Sequence, residues 1–94
     1  MTKAEIVSKI SEKTGIEKTT TLAVVESLMA EIKDSIKNEE SVFLRGFGTF
    51  LAKERKEKTG RNISKNTTII IPAHHIPFFK PSKVFKNEVK NNIK

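Results

Sequence analysis

No cysteine, tryptophan or tyrosine occurs in this chain of 94 residues, and it holds only four glycines and three prolines. The lack of cysteine rules out a disulfide framework, which suits a reducing compartment or a chain that needs no covalent staples. Apolar runs such as Ile69–Ile71 are far too short to cross a bilayer. The charged start, MTKAEIVSK, lacks the apolar stretch of a signal peptide. These absences lead us to expect one soluble intracellular domain, with a core of modest stabilising power if it stands alone.

Acidic residues are scarce where they matter most. The chain carries a formal charge of +7, but residues 1–40 hold six Lys against eight Asp/Glu, and residues 41–94 hold twelve Lys/Arg against three Glu. Solubilising surface charge normally alternates in sign. A split of −2 and +9 assigns packing to the first part and an anionic partner to the second.

Hydrophobic spacing divides the chain in the same place. Thr2 with Glu5 forms a capping-box signature, Ile6, Val7 and Ile10 give an apolar face, and Gly15 supplies a left-handed stop. A second helix is expected over about Lys18 to Lys37, where Leu22, Val25, Met29, Ile32 and Ile36 recur at steps of three and four. Its cap is poor, because Glu17 stands where Ser or Asp would serve better. From Ser41 the period becomes two: Val42 and Leu44 alternate with Phe43 and Arg45, Gly46 and Gly48 flank a turn, and Thr49–Ala52 continue as a strand. Thr67–Ile71 returns, stopped by Pro72, and Ile76–Lys80 is a further extended piece. Ser82 caps a last helix with Phe85, Val89 and Ile93 on one side and Lys83, Lys86 and Lys90 on the other. The pattern is α+β: a helical base over about 1–40, a sheet with an arm over about 41–80, and a C-terminal helix over about 82–93.

Between the strands lies KERKEKTGRNISK, Lys53 to Lys65, almost none of which can be buried. If Lys53–Asn62 paired with Lys65–Thr68 as a ribbon, its ten outgoing residues would reach roughly 30 Å at 3.3 Å each. Lys53, Arg55, Lys56, Lys58, Arg61 and Lys65 all fall on this arm, and phosphate is the commonest partner for such an array. Ile63 is a lone apolar residue at the tip. It is either a harmless exposed aliphatic or a wedge pushed between base pairs.

RGFGTF at 45–50, TGRN at 59–62, IPA at 71–73, Pro77, FK at 79–80 and Lys83 resemble the HU and integration host factor family of bacterial DNA-bending proteins, and the likeness runs the whole chain without gaps. The resemblance implies an intertwined homodimer, or a heterodimer with a paralogue. Its helical base would carry a saddle of three-stranded antiparallel sheet, from which two β-arms wrap the DNA minor groove. By position, Arg55, Lys58, Arg61 and Asn62 would line the arm with Lys53 near its base. Lys80, Lys83 and Lys86 would clamp phosphates on the body, with Lys3 at its flank. The setting implied is the bacterial cytoplasm, associated with the nucleoid. The partner is double-stranded DNA, with no membrane, small-molecule substrate, cofactor, metal or catalytic residue. The chain departs from the family at Ile63, where Pro is usual, and at Asn66, where the tip usually has Gly. Pro81-Ser82 stands where a small residue and Gly are frequent, and Phe43 and Phe78 are bulkier than typical occupants.

Other readings compete on the same residues. An enzyme would need a nucleophile–base pair that this composition does not assemble, and His74-His75, adjacent on a strand, would point to opposite faces. An RNA-binding or ribosome-associated module shares the phosphate chemistry, but Tyr and Trp are absent and most Phe occupy core-like positions. An acidic protein could also take the arm, with little salt-dependent affinity for DNA. Two amphipathic helices and six Phe exceed what a body of roughly 70 residues can bury alone, which points to a two-fold dimer sharing Phe47, Phe50 and Phe79. Sedimentation equilibrium at micromolar concentration should therefore give twice the 10.6 kDa of one chain; a monomer mass would contradict the shared core.

Overall fold

The computed structural model describes residues 1–62 and 67–93, and of Arg61, Asn62 and Thr67 only the backbone. In order they form α1 (Lys3–Thr14), α2 (Lys18–Lys37), β1 (Val42–Leu44), β2 (Gly48–Arg55), β3 (Lys58–Asn62), β4 (Thr67–Ile71), β5 (His74–Pro81) and α3 (Lys83–Asn92). The chain divides into two compact units, Met1–Asp34 and Ser35–Lys94.

In the first unit, Thr2 caps α1 by accepting from the Glu5 backbone N–H at 3.2 Å. The reciprocal half of the expected capping box takes another form: the Glu5 carboxylate accepts from the Thr2 hydroxyl at 3.3 Å. Gly15 ends the helix at φ 76°, a left-handed conformation without penalty for a residue lacking Cβ, and its N–H closes on the Ser11 carbonyl. The start of α2 has no side-chain cap of its own; the Thr21 N–H reaches the Glu17 carbonyl at 2.9 Å and the buried Thr21 hydroxyl donates to the same oxygen. Only Val7 and Thr21 are buried in this unit, while Leu22, Val24, Leu28 and Met29 stay exposed along α2. An amphipathic helix this open has not found its packing partner within one chain.

The second unit is built on a three-stranded antiparallel sheet ordered β1-β2-β5. The β1–β2 hairpin turns through Leu44–Phe47, closed by the Phe47 N–H on the Leu44 carbonyl at 3.0 Å with Gly46 at φ 81°. At Gly48 the backbones of β2 and β5 come very close. A Cβ there would stand 2.5 Å from the Lys80 carbonyl oxygen and 2.6 Å from the Phe79 ring. Beneath this contact Phe47, Phe50, Phe79 and Phe85 cluster with ring centroids 4.7 to 6.3 Å apart. Phe47, Phe50 and Phe79, expected to share a core between two copies, lie together within one copy, and Phe85 joins them from α3. Ser82 positions that helix, its hydroxyl accepting from the Phe85 N–H at 3.1 Å and its own N–H meeting the Phe47 carbonyl at 2.9 Å.

The ribbon is not the pairing of Lys53–Asn62 with Lys65–Thr68. Ten residues cannot pair with four in an antiparallel ladder, and Lys53–Arg55 pair instead with Ile76–His74 as an extension of the main sheet. A separate ladder follows, from Lys58↔Ile71 to Asn62↔Thr67. Between the two ladders stand Lys56-Glu57 and Pro72-Ala73. Pro72 has no N–H to offer and interrupts the pairing.

Gly48→Ala should lower stability by about 1–3 kcal/mol, the usual cost of overpacking, because the obstruction is a backbone carbonyl that cannot rotate away. Thermal melting at fixed protein concentration should show the loss. An unchanged melting temperature would mean that the two strands separate there at little expense.

Candidate nucleic-acid interface

Strand register decides which side chains share a surface. Opposite pairs Val42↔Phe50 and Phe50↔Phe79 put one set of residues on the aromatic core side. By alternation the other side carries Phe43, Thr49, Leu51, Lys53, Arg55, His74, Ile76, Phe78 and Lys80. Within the paired strands this second side has no carboxylate; Glu57 stands at its outer end, where it lines a groove with Arg55 and His74. Glu54, the acid nearest in sequence, alternates onto the core side opposite His75. Lys53, Arg55 and Lys80 are exposed there, so the face is cationic because the strand period sorts the charges.

Lys53 is held in place: its Nζ lies 4.4 Å from the centroid of the Phe78 ring. His74 Nδ1 donates to the Pro72 carbonyl at 2.9 Å, and this turns the ring back toward the break in the ladder. His75 Nε2 lies 3.6 Å from a carboxylate oxygen of Glu39, so the two imidazoles take separate partners, as adjacent strand residues must. At the break, Arg55, Lys56, Glu57, Lys58, Ile71, His74 and Ile76 line an open groove of about 520 Å³. Beyond it, Lys58 starts β3 opposite Ile71, and Arg61 and Asn62 take the register positions opposite Thr68 and Thr67. Ile63 and Lys65 lie outside the described residues.

On α3, Lys83 and Lys86 are exposed in the first turn, which contains no acidic residue. A helix N-terminus prefers negative charge, so two lysines there cost the free helix some stability and favour an anion from outside. Lys3, in the other unit, forms an ion pair with Glu26 and is partly neutralised. The structure therefore brings Lys53, Arg55 and Lys80 onto one face. It places Lys83 and Lys86 together on α3 and Lys58, Arg61 and Asn62 on the ribbon, and it gives Lys3 a partner of its own.

Sequence reasoning missed three features. His74 shares the face with Arg55; Phe78 packs under Lys53; and Phe43, 77% exposed, stands on the cationic side. The alternation of Phe43 with Val42 and Leu44 is legible in the sequence, and the structure shows which of the two sides is the cationic one. His74 and Phe78 needed the β2–β5 register as well.

Comparison with known proteins gives this geometry a context. The family model described as bacterial DNA-binding protein matches residues 1–90. The DNA-binding protein HU of Thermus thermophilus is 39% identical over 90 residues, covering 96% of this chain and 93% of the relative. An integration host factor subunit alpha from Anaeromyxobacter is 33% identical over 93 residues, covering 99% of this chain and 82% of the relative. Among solved structures, a cocrystal of Anabaena HU with DNA superposes with a TM-score of 0.90 at 35% identity, over 95% of this chain and 97% of that one.

If the cationic face meets phosphate, replacing both Lys53 and Lys80 by Gln should flatten the plot of log K against log salt by about 0.9 for each phosphate no longer neutralised. Titrating duplex DNA at several salt concentrations reads this directly. A weaker affinity with an unaltered slope would assign the two lysines a role other than phosphate binding.

Proposed function

The chain belongs to the bacterial DNA-binding protein family of HU and integration host factor, and from that premise we infer that it is an architectural protein that grips double-stranded DNA and bends it with low sequence preference. The observation that carries this reading is the cationic face of Lys53, Arg55 and Lys80, which runs in register past Glu57 into a ribbon bearing Lys58, Arg61 and Asn62. A duplex lying across that face releases counterions to each lysine and arginine it meets, so affinity rests on phosphates and falls steeply with salt. The ribbon follows the minor groove, where the pattern of donors and acceptors is too degenerate for close sequence reading. Preference among sites then follows how easily the DNA deforms.

The working unit is a dimer of this chain. Its support is the apolar surface that one copy leaves open: Leu22, Val24, Leu28 and Met29 on α2, and Phe47 at 44% exposure at the edge of the aromatic cluster. Two copies present two ribbons, and bending follows when both pull one duplex onto the body. Lys83 and Lys86 add phosphate contacts as the DNA folds back, which helps offset an unstacking cost of about a few kcal/mol per step. Such a protein works in the bacterial nucleoid. Among the described residues no helix is long and apolar enough to cross a membrane.

Ile63 is the wedge in this scheme. Its side chain is large enough to part a base step, but its φ is free where a proline's would be fixed, so ordering it costs more. Ile63→Ala should lower end-to-end energy transfer on a doubly labelled duplex more than it lowers affinity. Equal loss in both would remove the wedge, and a wild-type protein that leaves linear duplex unretarded at low salt would remove the reading as a whole.

A further inference from the structure

Two histidines occur in this chain, His74 and His75, and the phosphate-binding scheme uses neither. Strand alternation sends them to opposite sides of the sheet. His75 sits on the core side opposite Glu54, its Nε2 3.6 Å from a Glu39 carboxylate oxygen, so a proton gained there has an acid of this protein to pair with. His74 is exposed on the cationic side, opposite Arg55 at the end of the β2–β5 ladder. The charged groups around it are Arg55 from β2, Lys56 and Glu57 from the link, and Lys58 from β3. Ile71 of β4 and Ile76 of its own strand complete the groove. Lys53 lies one step further along the same face, against the Phe78 ring.

One contact fixes which nitrogen of His74 is open. Its Nδ1 lies 2.9 Å from the Pro72 carbonyl oxygen. A carbonyl oxygen only accepts, so Nδ1 carries the hydrogen and the neutral ring leaves Nε2 as a bare lone pair. That lone pair offers nothing to a phosphate oxygen, which also only accepts. A proton on Nε2 turns the same atom into a charged donor, and imidazole is the side chain that makes this change between about pH 5 and 8. In the free chain that proton would join the three positive charges of the groove, with Glu57 alone to offset them. A duplex phosphate there supplies the missing negative charge and accepts the new hydrogen bond. We propose that His74 is a proton-gated phosphate contact: the chain takes up a proton at His74 Nε2 when it binds DNA, so affinity rises as pH falls through the imidazole range. The inference rests on the DNA-binding reading. It adds a dependence on pH that lysine and arginine cannot give, since both keep their charge throughout that range.

Fluorescence anisotropy of the full chain on an intact duplex, at about pH 5.5 and about pH 8 in the same salt, reads the linkage. The wild type should bind about tenfold more tightly at the lower pH, the lower end of what one hydrogen bond to a charged group contributes. Its plot of log K against log salt should also steepen there by about 0.9 for each phosphate newly neutralised. His74→Asn, which keeps a donor for the Pro72 carbonyl and cannot titrate, should bind equally at both pH values with one slope. His74→Lys should likewise ignore pH, but at the tighter affinity. His75→Asn should keep the wild-type response. Calorimetry in two buffers of different ionisation enthalpy should show proton uptake by the wild type and none by either His74 variant. A wild-type affinity that does not change with pH, a response that survives in His74→Asn, or one that disappears in His75→Asn would each overturn the proposal while leaving DNA binding intact. Failure of the wild type to bind duplex at either pH would instead remove the DNA-binding reading on which it rests.

Discussion

One register holds this molecule's surface in order. From Gly48↔Pro81 through Arg55↔His74, and again from Lys58↔Ile71 to Asn62↔Thr67, the pairing advances residue for residue without a slip, even across the break at Pro72. Because strand side chains alternate, a shift of one residue would send Lys53, Arg55 and Lys80 into the aromatic cluster and bring Phe50 and Phe79 out. The register is fixed from below. Gly48 lets the Lys80 carbonyl approach where any other residue would collide, and the Phe50–Phe79 pair, 4.7 Å between centroids, locks the neighbouring rung.

The same alternation does the electrostatic sorting. Three glutamates remain in the basic part of the chain, and Glu54 is turned to the other side of the sheet from its neighbours Lys53 and Arg55. A face with more cations than acids repels itself in the free protein. That self-repulsion is relieved when phosphate arrives, which ties the binding energy to salt concentration more than to shape. On its reverse side the sheet gathers aromatic rings that stay half-buried or exposed in one chain. In the proposed scheme dimer formation and DNA binding use opposite faces of one sheet, and neither has to give way to the other.

The fold was legible in the sequence wherever local chemistry decides. Thr2, Gly15 and Ser82 marked helix ends by the backbone groups they satisfy, and the change from steps of three and four to steps of two marked the first strand. The ribbon was less legible, since pairing is a non-local property and only the interruption at Pro72 could be read directly. The candidate site followed the same division. Arg55, Lys58 and Arg61 announced themselves as charge that cannot be buried. Lys80, Lys83 and Lys86 look ordinary in sequence and were reached by family likeness. Phe43 was legible by its parity against Val42 and Leu44, but which side of the sheet would be cationic needed the β2–β5 register.

The break at Pro72 gives the arm a mechanical consequence. Below it, β2 and β5 belong to a three-stranded sheet backed by aromatic packing; above it, β3 and β4 form a two-stranded ribbon with Ile69, Ile70 and Ile71 exposed on both its surfaces. An isolated ribbon of two strands is marginal in water. Three exposed isoleucines there are a liability in the free protein, yet they suit a groove whose walls are sugar rings. In the proposed scheme any part of the ribbon that orders on DNA draws on the contact energy, which lowers affinity for the area covered. For a protein that bends DNA with low sequence preference this would be no defect, because an arm that ordered on its partner could adapt to duplexes of different curvature.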